Sequence, residues 1–182
     1  KNMSDKICVL SVGVDGREPY SKYVEVVAQK AIENGYAAMG WKNEMPPNCP
    51  PHAEVPYAFK PYAIQAALDA GYKKVLWLDS KCHITGKIAP VEDALENDGY
   101  WFVEDGMSVG EWCKDSALPI FNITREEAYQ MKVIAAKHFA LNFEHEIARD
   151  FFKRYMGYAV DDGGEAYKGS WTNERLQVSV DP

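Results

Sequence analysis

Apolar residues open the chain in a nearly unbroken, β-branched run, Lys6-Ile7-Cys8-Val9-Leu10-Ser11-Val12-Gly13-Val14. Apolar character on both faces of so short a stretch predicts a strand buried in a parallel sheet. The pair Asp15-Gly16 ends it as a turn. The period then changes. From Ser21 to Asn34, residues Val24, Val27, Ala28, Ala31 and Ile32 recur at helical spacing, and Asn34-Gly35 stops the helix. Tyr36 to Trp41 predicts a second strand, which completes a strand–helix–strand unit.

Glu44 to Pro56 carries five prolines and is a loop. A second helix is predicted over Lys60 to Ala70, with Ala63, Ile64, Ala67 and Leu68 on its buried side and Gly71 after it. Lys73-Lys74-Val75-Leu76-Trp77-Leu78-Asp79-Ser80 follows, a short apolar strand that ends in a carboxylate. Further on, the pattern predicts a helix over Ile88 to Asn97 starting near Pro90, a strand over Gly99 to Val103, and a loop or short helix over Ser108 to Asp115. Pro119 to Ile123 reads as extended. Thr124-Arg125-Glu126-Glu127 is a capping-box start for a helix running Glu126 to His138, and a last helix is expected from Asn142 to Met156. Helices alternating with strands define an α/β class. With no repeat and no linker, residues 1–182 form a single domain.

Composition narrows the function. The chain has 182 residues, 47% of them apolar or aromatic, and a net charge of −7. That balance disfavours nucleic acid as a partner through a general basic surface. No apolar run approaches the roughly 20 residues that span a bilayer, and no signal-peptide pattern precedes the first strand. A cytoplasmic protein with four reduced cysteines (Cys8, Cys49, Cys82, Cys113) is expected. The spacing of these cysteines makes no zinc or redox motif, His138 and His145 lack the i, i+4 spacing of a zincin helix, and no G-x-S-x-G elbow occurs.

Asp79 carries the strongest chemical signal. In an open α/β sheet, ligands bind beyond the carboxyl ends of the strands, where this residue emerges. A carboxylate there either holds Mg²⁺ or Mn²⁺ beside a phosphate or caps the following turn. At a strand end it contributes little to the core, so its removal is expected to leave the fold intact.

The segments Tyr57-Ala58-Phe59-Lys60-Pro61-Tyr62-Ala63-Ile64-Gln65, Gly71-Tyr72 and Val75-Leu76-Trp77-Leu78-Asp79-Ser80 resemble the core of GT-A-fold nucleotide-sugar glycosyltransferases. The resemblance extends from Ile7 to about Ser179. It implies a mixed, mainly parallel sheet flanked by helices, with a nucleoside-diphosphate sugar as donor and an acceptor of unknown kind. In that family the strand ends in a DxD motif that binds a divalent cation (Mn²⁺ or Mg²⁺). Here it reads Asp79-Ser80-Lys81, so Asp79 is the candidate catalytic and metal-binding residue and Lys81 stands where a second Asp would be. Either Asp79 alone anchors the ion, or Lys81 supplies positive charge to the phosphates.

The family's first strand edge holds the nucleoside, which assigns Val12, Gly13, Val14 and Asp15 to the donor. Gly13 permits close backbone approach, and Asp15 accepts hydrogen bonds from hydroxyls or a base edge. The alternative for the glycines is an ordinary turn. The spacing does not make a G-x-G-x-x-G fingerprint. Tyr20 either stacks on a base or packs the helix. Lys60, at a helix start next to Pro61, is placed with Ser80 and Lys81 at the diphosphate.

The tail offers Asp161-Asp162-Gly163-Gly164-Glu165, with Asp162 as the candidate general base. Trp171, Asn173 and Glu174 form a candidate acceptor set, an aromatic face with polar neighbours. More narrowly, the chain resembles a little-characterised group of glycosyltransferase-like proteins with an LWLDS strand. That group has a further His- and Asp-Gln-containing motif downstream of its W-x-N-E segment. Its lack here implies a minimal or C-terminally truncated version. A non-catalytic binding or scaffold domain with the same fold is the alternative.

Overall fold

A computed structural model describes residues 5–16 and 18–168. The first half follows the pattern closely: β1 (Ile7–Gly13), α1 (Ser21–Glu33), β2 (Ala37–Lys42), α2 (Phe59–Asp69), β3 (Lys74–Leu78) and α3 (Ala89–Asn97). After these come β4 (Tyr100–Trp101), β5 (Glu104–Ser108), α4 (Val109–Trp112), α5 (Arg125–Gln130), β6 (Lys132–Ile134), β7 (His138–Asn142), α6 (Glu146–Val160) and α7 (Glu165–Lys168).

Five strands form one sheet in the order β2-β1-β3-β7-β4. β1 runs parallel to both β2 and β3, and β7 is antiparallel to β3 and β4. Four strands therefore share one direction and β7 opposes them. The alternation of side chains along each strand divides the core into two layers. Cys8, Leu10, Val75, Trp77, Phe139 and Leu141 pack under α2 and α6. Ile7, Val9, Leu76, Leu78 and Ala140 pack under α1 and α3.

The second half departs from the sequence reading. The helix expected over Glu126 to His138 ends at Gln130, and the chain becomes β6 and then β7. Ala135, Ala136 and Ala140 favour helix locally, but β7 fills the slot between β3 and β4, and ladder bonds outweigh a weak propensity. The last helix accordingly starts at Glu146 rather than Asn142. Pro119 to Ile123 is not extended, because Leu118–Phe121 is a 3-10 turn closed by Asn122 in a left-handed conformation. The predicted strand at Gly99 to Val103 shrinks to two residues. The capping box at Thr124 and Glu127 forms, as does one at Ser108 and Glu111. β5 and β6 pair as a separate ribbon. None of the four cysteines is disulfide-bonded. Among the described residues, no helix is long and apolar enough to cross a membrane.

Candidate functional site

The sheet order fixes where a ligand can enter. From β1 the chain crosses to β2 on one side, then returns to β3 on the other. α1 covers one face and α2 the opposite face, so the carboxyl ends of β1 and β3 part around a crevice. A cleft of about 840 Å³ lies there, within the size range of small-molecule sites. The end of β1 contributes Val12, Val14, Asp15 and Gly16. The end of β3 contributes Asp79, Ser80 and Lys81. Aromatic rings wall the rest: Tyr20 before α1, and His52, Tyr57 and Phe59 from the proline loop and the start of α2.

Asp79 is held from beneath. Trp77 and Asp79 lie on the same side of the strand, and the buried indole Nε1 donates to Asp79 Oδ1 at 2.8 Å. The Lys60 ammonium sits 3.1 Å from that same oxygen. Its Nζ also donates to the Ala136 carbonyl at 2.7 Å and lies 5.3 Å and 5.7 Å from the ring centres of Trp77 and Tyr57. The Lys60 side chain is 7% exposed, that of Asp79 43%. Burial pushes the Lys60 pKa down, and the facing Asp79 carboxylate opposes that shift. Lys60, expected with Ser80 and Lys81 at the diphosphate, is a buried lysine. It lies behind Asp79, outside the residues that line the cleft.

Lys81 does line the cleft. Its ammonium pairs with Glu18 and lies 5.0 Å from the centre of the Tyr20 ring, and the hydrogen bond it donates to Glu18 raises its pKa. Asp15 also lines the cleft, but both its oxygens have partners. Oδ1 accepts the Ser21 N–H at 2.7 Å, and Oδ2 accepts from Ser21 Oγ and Asn43 Nδ2, each at 2.8 Å. The Asn43 amide and Ser21 hold its carboxyl below the usual range. Asp15 thus ties the start of α1 to the residue after β2.

Other predicted residues fall elsewhere. Gly13 faces α1 rather than the cleft: a Cβ there would stand 2.6 Å from the Tyr20 carbonyl oxygen and 2.7 Å from Val24. Asp162 is exposed in the 3-10 turn Asp161–Gly163, with φ 51°, and does not line the cleft. Trp171, Asn173 and Glu174 lie outside the described residues. Sequence reading missed His52 and Phe59. His52 Nδ1 accepts the Tyr57 N–H at 3.2 Å, and burial lowers its pKa. The one available signal was a histidine and aromatics crowding the entry to the Lys60 helix.

Asp79 offers one carboxylate, one oxygen of which already takes an ammonium and an indole N–H. A divalent cation on a single carboxylate takes its remaining oxygen ligands from water and from the phosphates of a bound ligand. Among the described residues, no group of three or more His, Cys, Asp or Glu side chains could hold a metal ion.

No family model matches the chain, and no curated protein matches it in sequence. Among solved structures it is similar to the crystal structure of a glycosyltransferase involved in the glycosylation of the major capsid of PBCV-1. The TM-score is 0.53 and the identity 17%, over 86% of this chain and 68% of that one. At that identity the likeness is one of fold, and the mixed α/β architecture is glycosyltransferase-like.

Proposed function

We propose that this chain is a glycosyltransferase of the GT-A type, using a nucleoside-diphosphate sugar as donor. The observation that carries the reading is the cleft at the strand-order reversal, where the end of β1 and the segment Asp79-Ser80-Lys81 face one cavity. The fold likeness to a glycosyltransferase supports it. The nucleoside lies along the end of β1, against the aromatic wall of Tyr20, Tyr57 and Phe59. The diphosphate reaches Ser80 and Lys81.

In the transfer, the bond from the anomeric carbon to the diphosphate oxygen breaks and an acceptor hydroxyl oxygen takes its place. The hydroxyl proton passes to a base, and negative charge collects on the departing diphosphate. Lys81 is placed to meet that charge by exchanging Glu18 for a phosphate oxygen. The aromatic wall excludes water from one side of the donor. Asp162 is exposed and does not line the cleft, so this reading gives it no part in the transfer.

Thermal denaturation with a panel of nucleoside-diphosphate sugars tests the reading. A true donor at a hundred times its Kd stabilises the fold by about 2.7 kcal/mol, a rise of about 5–11 °C for a chain of this size. A panel that leaves the melting temperature unchanged refutes the proposal.

A further inference from the structure

Resting on the donor reading above, we infer that Lys60 stands in place of the divalent cation at this cleft, so that a diphosphate binds here without metal. The ammonium is fixed directly behind Asp79, just outside the cleft lining. It contacts Asp79 Oδ1 at 3.1 Å and the Ala136 carbonyl at 2.7 Å, beneath the Trp77 and Tyr57 rings, with the side chain 7% exposed. A cation bound to Asp79 Oδ1 would sit about 2–2.6 Å from that oxygen, crowding the positive nitrogen that already faces it.

The next residue positions repeat the substitution of protein cation for metal. Where a second carboxylate would complete a metal site, Lys81 lines the cleft. Its partner Glu18 is half exposed, as is Lys81 itself, so an arriving phosphate can take the ammonium from Glu18 at little cost in solvation. Lys60 holds Asp79 in place and offsets its negative charge, which would otherwise repel a diphosphate. Lys81 makes the direct contact. Both tasks are those a bridging divalent ion would perform.

The test is calorimetric titration of the whole chain with UDP, GDP, ADP and CDP, in excess EDTA and again in millimolar MnCl₂. It is paired with electron paramagnetic resonance of Mn²⁺ added alone. Expected: one nucleoside diphosphate binds equally well in both buffers, Mn²⁺ alone stays free, and Lys81→Met weakens binding about tenfold or more, as loss of a charge-assisted bond does. Lys60→Met should also weaken binding in EDTA, and Mn²⁺ should restore part of the loss.

Binding that appears only with Mn²⁺ overturns the inference and leaves the donor reading standing. Failure of every nucleoside diphosphate in both buffers overturns both. Unchanged affinity in a folded Lys60→Met variant removes Lys60 from the role. If Lys60→Met does not fold, the EDTA and Mn²⁺ comparison on the unaltered chain decides.

Discussion

Asp79→Asn takes away the carboxylate that faces the Lys60 ammonium, 3.1 Å away. The strand-end position alone predicted a cheap substitution; the buried lysine makes it an expensive one. Removing one partner of a buried pair costs about 3–5 kcal/mol, because the other charge is left uncompensated. Asp79 is 43% exposed, so water reaches the pair and the cost falls to about 2–3 kcal/mol. The asparagine oxygen still accepts from Trp77. For a chain of this length that is a drop of about 4–12 °C in melting temperature. Lys60→Met removes the other charge, and in the double variant no charge is left buried, so at least half the loss should return.

The pH dependence gives a second readout. The folded pKa of Lys60 lies below its ordinary value of 10.5. Between the two values the folded state binds fewer protons than the unfolded state, so stability rises as pH climbs through that window. Losing Asp79 lowers the folded value further and widens the window. The assay is urea and thermal denaturation of the four proteins of the cycle, at neutral and alkaline pH. If Asp79→Asn melts within about 1 °C of the parent, or if the two substitutions add without coupling, the buried-pair argument fails.

Three further outcomes are expected. Gly13→Ala drives a Cβ to 2.6 Å from the Tyr20 carbonyl oxygen and should cost about 1–3 kcal/mol of stability by overpacking; denaturant midpoints check this, and no loss would show that α1 shifts freely. Asp15→Asn should flatten the acid limb of the stability curve, since the contribution of Asp15 is present above its ordinary value of 3.8 and lost as pH falls through its lower folded value. An unaltered acid limb would mean that the bonds to Ser21 and Asn43 do not stabilise the carboxylate. Tyr57→Ala should weaken nucleotide binding in the calorimeter while sparing Mn²⁺ independence; equal affinity would take the aromatic wall out of the nucleoside site.

The parts legible in the sequence were those with local causes. Apolar runs, helical spacing and Gly or Pro punctuation located β1 through α3 to within a residue or two. Those signals need no knowledge of the neighbours. The segment from Lys132 to Asn142 lacked such a cause. Its alanines and lysines are compatible with helix, and its strand character comes from pairing, of β6 with β5 and of β7 with β3 and β4. The edge of the sheet that carries Asp79 was likewise legible, because a strand ending in a carboxylate exposes it where parallel strands open. The partner of Asp79 was not. Lys60 lies 19 positions upstream, and the packing of α2 on the sheet turns its side chain under Trp77.

By itself, then, the sequence determined the α/β alternation and the acid at the mouth of the sheet, since both follow from short-range periodicity and turn chemistry. Tertiary structure decided that β7 is a strand and that Lys60 is a buried counter-ion. It also decided that Asp162 stands apart from the cleft and that Gly13 serves packing. Each of these depends on which surfaces meet after the chain has crossed the sheet, a relation that no run of neighbouring residues encodes.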